Sequence, residues 1–401
     1  MTALHSSTAR TPDVLRAAMV RALHDQDAIK SKPVAAAFAA VPRHRFAPEA
    51  PLDQVYDLHR TVPVKKDEHG FDSSVMSTAH VQAVMLEQAD VMPGMHVLEI
   101  GSGGYNAALL QELVGQGGQV TSVDIDRDVV ERARRCLDDA GYERVRIVLA
   151  DGEAGAPEGA PYDRIVVTAA AWDIPPSWID QLAEKGRLVV PLTMRGTTRS
   201  IAFDRDAEGL TSCSYRLARF VPMQGEGSAQ ERKVMIREGV ALQTDDARVN
   251  LDAEALSKAL NASRLERWSG AAYDLPDELE LYLTFELPGA ARLHASNEIV
   301  EQGLVEASAL LGVPALVNDD SIAYRTRREN EATGGFESGV IAHGPQAEVL
   351  ADQYLDLLRH WAGNHRRRGA GTLRYLPGPA PSFIPQGAIL RGHGLVTASW
   401  H

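Results

Sequence analysis

Between His96 and Leu192 short apolar runs alternate with amphipathic stretches, and this alternation restricts the possible folds more than any other feature of the chain. "MHVLEI", "QVTSVDI", "VRIVLA", "YDRIVVTAA" and "RLVVPL" read as strands, with helices at "YNAALLQELV", "RDVVERARRCLDDAG" and "PSWIDQLAEKG". Apolar strands interleaved with helices dictate a mainly parallel sheet covered on both faces. In such a sheet ligands sit beyond the carboxyl ends of the strands, at the topological switch point.

Those strand ends carry polar and small residues. The first runs into Glu99, Gly101, Ser102, Gly103 and Gly104, and glycine lets backbone approach a ligand without an intervening Cβ. Asp124, followed by Ile125, ends the second strand, where a carboxylate can accept two hydrogen bonds from ribose hydroxyls. Asp151 and Gly152 follow the third, as an acidic turn able to contact adenine. A dinucleotide site calls for the third glycine of G-x-G-x-x-G, and Asn106 stands there, preceded by Tyr105. S-adenosylmethionine has no pyrophosphate, so the objection does not apply to it. Tyr105 itself has two readings, packing at a helix start or contact with cofactor or substrate.

The remaining segments suggest further organisation. Leu15, Met19 and Leu23 recur at a spacing of four behind Thr11 and a proline, marking a packed N-terminal helix. "VPVKKDEHGFDSSVMS" reads as a polar loop leading to a helix from Thr78 to about Ala89. Composition turns polar and glycine-rich around "QGEGSAQERK". Three segments result: an N-terminal helical and loop segment over 1–78, a Rossmann-like domain over 79–225, and an α+β domain over 226–401. In the last, helices are expected at "DAEALSKALN", "NEIVEQGLVEASALLG" and "PQAEVLADQYLDLLRHWAGNHRRR", the third with Leu350, Tyr354, Leu358 and Trp361 on one face. Strands are expected at "LELYLTFEL", "SIAYRTRR" and "ESGVIAHG", followed by a tail rich in proline and glycine.

A net charge of -13, from 54 acidic and 41 basic residues, disfavours a nucleic-acid partner. Cys136 and Cys213 lack metal-ligand spacing and read as small packed side chains; no metal is expected. The opening lacks the basic start and apolar run of a signal peptide, and no segment approaches membrane-spanning length. The expectation is a cytoplasmic protein without a membrane partner, as monomer or homodimer.

"VPRHRFAPE", "VYDLHRTVPV", "VMSTAHV", "VLEIGSGGYNAAL", "SVDID", "LADGEAG", "YDRIVVTAAA" and "LVVPL" occur in the order of the protein-L-isoaspartate O-methyltransferase family, which residues 10–222 resemble. The resemblance implies an α/β, Rossmann-like class I methyltransferase fold that uses S-adenosyl-L-methionine and releases S-adenosyl-L-homocysteine. It implies that Ser77 hydrogen-bonds the accepting carboxylate and that His80 occupies the His or Tyr position after it. Glu99, Gly101, Ser102, Gly103, Tyr105, Asp124, Ile125, Asp151 and Gly152 are assigned to the cofactor, and Ser74 and Thr78 to the substrate. Departures are Ala79 in place of a proline, Tyr105 in place of the last loop glycine, and a longer "KKDEHGFDSS".

The C-terminal extension, with "EIGSGGYNAALL" and the terminal "SWH", resembles a branch associated with ribosomal peptide natural products such as lanthipeptides, graspetides and lasso peptides. That resemblance implies a modified, macrocyclic precursor peptide as substrate, esterified on aspartate and converted to succinimide or isoaspartate. Trp400 and His401 are then expected at the substrate, or else docked on the surface. The alternatives are repair of isoaspartate in damaged proteins and a noncatalytic peptide-binding module.

Overall fold

The computed structural model describes residues 11–228, 231–273, 276–331, 334–385 and 387–400. The chain divides into two compact units, residues 1–192 with 198–229 and residues 193–197 with 230–401.

The first unit opens with α1 (Pro12–Asp25), α2 (Lys32–Ala40) and α3 (Leu52–Val55), then a hairpin of β1 (Val62–Lys66) and β2 (Asp72–Met76), and α4 (Ala79–Ala89). Alternation follows: β3 (His96–Ile100), α5 (Tyr105–Val114), β4 (Gln119–Asp124), α6 (Arg127–Ala140), β5 (Arg146–Leu149), β6 (Tyr162–Val167), α7 (Pro176–Gln181), β7 (Leu182–Met194), β8 (Thr197–Arg205) and β9 (Leu210–Leu217). Within this unit the strand order is β9-β8-β7-β6-β3-β4-β5. The chain winds from β3 through β4 to β5, then returns to β6 on the other side of β3. The β4–β3–β6 pairings are parallel, so the switch point lies at the carboxyl end of β3.

Each helix on this sheet has a local cause. Asp126 caps α6 by accepting from the N–H groups of Asp128 and Val129, and Gly141 closes it at φ +85°. Between those caps Val129, Val130, Ala133, Cys136 and Leu137 form the buried stripe. Helix α5 is buried on nearly every side, because it lies between the sheet and the N-terminal helices; Ala107, Leu109, Leu110 and Leu113 share one core with Leu23, Phe38 and Leu86.

Three expectations for this unit change. The polar stretch read as a loop is the β1–β2 hairpin, turned by Asp67, whose carboxylate accepts from the N–H groups of His69 and Phe71. Its strands are short, with their apolar residues clustered at one end, so no sustained hydrophobic alternation marked them. The helix expected through "QLAEKG" stops at Gln181, whose side chain binds Ala154 O and Ala156 N, and Leu182 is already paired with Tyr162. Cys136 is buried, whereas Cys213 on β9 is exposed rather than packed.

The second unit contains β10 (Arg232–Arg237), β11 (Val240–Thr244), α8 (Ala253–Asn261), β12 (Leu265–Ala272), α9 (Pro276–Glu286), β13 (Ala290–Ala295), α10 (Asn297–Glu301), β14 (Val313–Asn318), β15 (Ser321–Asn330), β16 (Gly335–His343), α11 (Ala347–Asn364), β17 (Thr372–Pro377), β18 (Ala388–Leu390) and β19 (Gly394–Ser399). An antiparallel sheet of order β10-β11-β13-β14-β15-β16-β12 is its centre. One face packs on α8 and α10 through Leu256, Leu260 and Ile299. The other packs on α9 and α11 through Leu279, Leu283, Leu350 and Leu358.

Here the alternating "LELYLTFEL" is helix α9, not a strand. Leu279, Leu281, Tyr282, Leu283 and Phe285 are all buried, so the helix is enclosed rather than one-sided, and its apolar spacing imitates a strand. Pro276 at its start and Asp277 and Glu278 in its first turn are helix-start signals that the spacing masked. The long helix expected from Asn297 ends at Glu301, before Gly303 at φ +73°. The proline-rich tail holds β17, β18 and β19, which pair antiparallel. No helix among the described residues is long and apolar enough to cross a membrane.

Trp400 takes the docked alternative. Its ring lies 5.4, 6.1 and 5.9 Å from those of Tyr282, Trp361 and His365, and its indole N–H donates to Glu278. His401 lies outside the described residues. Trp400→Ala is expected to destabilise the protein by about 1–2 kcal/mol through lost aromatic packing. Thermal unfolding checks it, and an unchanged Tm would contradict it.

Candidate active site

The first strand ends in a loop whose conformation is set from both sides. Gly101 N–H donates to Val123 O at 2.8 Å, and Thr168 N–H to Ile100 O at 2.7 Å, so the loop leaves β3 held by β4 and by the end of β6. A Cβ on Gly101 would lie 2.5 Å from Thr168 Oγ1, at a φ of +96°. Only glycine fits there without displacing the threonine. At Gly103, by contrast, a Cβ would meet nothing within 4 Å; this residue borders open space.

That space is a cleft, partly open to solvent, in the first unit. Of the residues assigned to the cofactor, Gly101, Ser102, Gly103, Asp124, Ile125 and Gly152 line it. Ser102 N–H donates to Asp124 Oδ2 at 2.8 Å and Asp126 N–H to Oδ1 at 2.9 Å, tying the glycine loop to the neighbouring strand end. Burial raises the Asp124 carboxyl, while these N–H bonds pull it back toward the ionised form.

Three assigned cofactor residues lie elsewhere. Glu99 is fully buried below the loop, where it accepts hydrogen bonds from Asn106 Nδ2, at 2.9 Å, and from Ser122 Oγ. It braces α5 against β4 instead of lining the cavity, and burial pushes its carboxyl up to about 7. Tyr105 takes the packing alternative: it is fully buried, with its ring centroid 6.3 Å from that of Phe38 and 5.5 Å from that of Phe46. Asp151 turns its carboxylate to the N–H groups of Glu153 and Glu226, at 2.9 and 3.0 Å, and leaves Gly152 as the lining residue of that turn.

Sequence reasoning missed the rest of the wall. Ser73 and Val75 join Ser74 from the hairpin, and Thr168, Val221, Pro222, Met223 and Gln224 complete the far side. The hairpin is fastened on both strands near its turn: Lys65 Nζ lies 2.6 Å from Asp126 and 2.7 Å from Asp128 at the start of α6, and Gln224 Nε2 donates to Ser73 O at 3.3 Å. A lysine 61 and 63 positions away from its acidic partners carries no local pattern, so only the "DIDRD" cluster of acids was a usable signal.

The cavity suits S-adenosylmethionine, whose adenosine and amino-acid parts need the features found here. Ser102 Oγ is buried at its wall with no partner among the described residues. Gly103 leaves room for a close ligand, Asp124 offers carboxylate lone pairs to ribose hydroxyls, and Ile125, Val129 and Met223 supply apolar surface for a purine.

Ser77 and His80 are not part of this cavity wall; they lie where the hairpin leads into α4. Thr78 caps that helix by accepting from Val81 N–H at 3.3 Å, so Thr78 is occupied by the cap and the Ser77 hydroxyl is not spent on it. The Ser77 carbonyl accepts from Arg43 Nη2 at 2.6 Å. His80 N–H donates to Leu58 O at 3.0 Å, and its ring lies 5.1 Å from that of His59. Burial and the neighbouring His59 lower the His80 imidazole, which keeps it neutral at neutral pH. Among the described residues no group of His, Cys, Asp and Glu is arranged to hold a metal.

The family model for protein-L-isoaspartate(D-aspartate) O-methyltransferase matches residues 15–228. Protein-L-isoaspartate O-methyltransferase 2 of Archaeoglobus fulgidus is 38% identical over 198 residues, 49% of this chain and 87% of that protein. The Gloeobacter violaceus protein-L-isoaspartate O-methyltransferase is 40% identical over 200 residues, 49% of this chain and 93% of its own. A solved protein-L-isoaspartate O-methyltransferase superposes with a TM-score of 0.49 at 22% identity, covering 85% of this chain and 92% of its own. The family match ends at residue 228, beside the limit of the first unit at 229.

Two outcomes are expected at this site. Asp124→Asn should weaken S-adenosylhomocysteine binding by about 10- to 100-fold in calorimetry, as loss of charge-assisted hydrogen bonds predicts; unchanged affinity would remove Asp124 from the site. Glu99 holds a proton that the unfolded chain has released, so its contribution favours folding below pH 4.5 and is lost as pH rises through about 7. Glu99→Gln should flatten that fall and be more stable than the parent at pH 8, by on the order of 2–3 kcal/mol in denaturant melts.

Proposed function

Because the chain belongs to the protein-L-isoaspartate(D-aspartate) O-methyltransferase family, we propose that it methylates the free carboxylate of isoaspartyl residues in peptides and damaged proteins, using S-adenosylmethionine. The observation that carries this is the extent of the family match, 15–228, which takes in both the Ser77 segment and every residue of the cavity. When bound, the cofactor supplies an activated methyl group on a sulfonium.

The protein's part is then one of placement. A carboxylate with a reference pKa near 4 is already ionised at neutral pH, so no general base is needed. Ser77 offers a hydroxyl that orients one carboxylate oxygen without taking a proton. A neutral His80 in the first turn of α4 offers a hydrogen bond without adding charge. The hairpin strand β2 connects this acceptor side to the cavity through Ser73, Ser74 and Val75.

The ester that forms is a better acyl group than the acid. The next backbone nitrogen attacks its carbonyl carbon, the N–C bond forms, the C–O bond breaks, and methanol leaves with the amide proton. The resulting succinimide hydrolyses to aspartate or isoaspartate.

A second reading, a modified macrocyclic precursor peptide as substrate, is favoured by the residues beyond 228 that the family model does not span. The two readings part on substrate. On the first, a linear isoaspartyl peptide gains about 14 Da and then loses about 32 Da by intact mass, and Ser77→Ala lowers its kcat/KM by roughly 100-fold. Gain and loss on a cyclised precursor alone would reject repair and establish the second.

A further inference from the structure

We propose that Arg43 is a positioning residue that sets the Ser77 segment against the cofactor loop, with the Tyr105 ring as its counterpart. The inference rests on the carboxyl-methylation reading above and adds to it the device that aligns the acceptor with the donor.

Arg43 begins the short 3-10 turn Arg43–Phe46 and is fully buried. A buried guanidinium ordinarily has a carboxylate beside it. Among the described residues Arg43 has neutral partners instead: Nε donates to Val55 O at 2.8 Å, Nη1 to Gln82 Oε1 at 2.6 Å and Nη2 to Ser77 O at 2.6 Å. Arg43 also lies over the ring of Tyr105, with Cζ 4.6 Å from the ring centroid. Burial lowers the guanidinium pKa, and the phenol groups of Tyr105 and Tyr56 beside it act in the opposite sense.

The geometry joins two places that the reaction requires to be in register. At one end is the peptide group of Ser77, whose hydroxyl faces the accepting carboxylate on the proposed reading. At the other is Tyr105, the first residue of α5, directly after the Gly103–Gly104 loop that borders the cavity. One rigid planar group fixes both. Its uncompensated charge also raises the positive potential near Ser77, which favours an arriving carboxylate. The residue that departs from a spaced-glycine pattern is therefore the one that receives the cation, because an aromatic face stabilises a buried guanidinium that no carboxylate neutralises.

The test uses the full chain and the variants Arg43→Lys, Tyr105→Leu and Tyr105→Phe. Three quantities are measured: kcat and KM on a linear isoaspartyl peptide, calorimetric affinity for S-adenosylhomocysteine, and hydrogen exchange over residues 76–82. Lysine cannot make three directed bonds and stack at once, and leucine removes the ring face. Both should lower kcat/KM by about 10- to 100-fold, with S-adenosylhomocysteine affinity kept within about twofold and 76–82 exchanging faster. Tyr105→Phe keeps the ring and should recover most of the rate lost by Tyr105→Leu.

Unchanged kcat/KM per folded molecule together with unchanged exchange would overturn the proposal, as would an equal loss of cofactor affinity and rate. Tyr105→Phe behaving like Tyr105→Leu would remove the ring from it. Should Arg43→Lys fail to fold, Tyr105→Leu decides alone. If the parent protein methylates neither a linear nor a cyclised peptide, the carboxyl-methylation reading falls, and exchange over 76–82 by itself upholds or rejects the positioning role.

Discussion

The parallel pairing of β3 with β4 on one side and β6 on the other is the constraint from which the site follows. Val123 O and Thr168 N–H grip the two sides of the peptide group that joins Ile100 to Gly101. With that turn held, Ser102 N–H falls on the Asp124 carboxylate and Gly103 opens on the cavity. Nothing in the glycine loop is placed by its own side chains; the strand ends place it. The reversal of strand order at β3 keeps the space above free of a crossing connection.

Around this frame, buried polar groups act as braces more than as contacts. Glu99 joins α5 to β4 through Asn106 and Ser122. Arg43 joins α3, α4, the Ser77 segment and the Tyr105 ring. Removing either partner of such a set would strand a buried polar group, a loss larger than the bond's net value. The hairpin differs in character, since its clasp of Lys65 to Asp126 and Asp128 is partly exposed to solvent and screened accordingly. The wall it contributes is held less firmly than the strand ends opposite.

Much of the site was legible because its chemistry is local in sequence. Gly101, Ser102, Gly103, Asp124, Ile125 and Gly152 each follow a strand, and a parallel sheet brings successive carboxyl ends together whatever the details of packing. Glu99, Tyr105 and Asp151 have the same address but point elsewhere. Their side-chain direction depends on neighbours far along the chain: Ser122 for Glu99, Phe38 and Arg43 for Tyr105, Glu226 for Asp151. Thr78, assigned to substrate, is the helix cap, and Trp400 is packed on Tyr282 and Trp361.

By itself the sequence determined the alternating parallel sheet, the cofactor class that its strand ends admit, and the buried stripe Leu350, Tyr354, Leu358 and Trp361 of α11. Those are consequences of periodicity and of which residues end each strand, both properties of neighbouring residues. The tertiary structure alone decided that "LELYLTFEL" is a helix, that "KKDEHGFDSS" lies within a hairpin forming part of the cavity wall, and that Arg43 is buried against Tyr105. An enclosed helix loses its one-sided pattern, a short hairpin sustains none, and a buried cation is settled by partners 12 to 62 positions away, so no local window of sequence contains the answer.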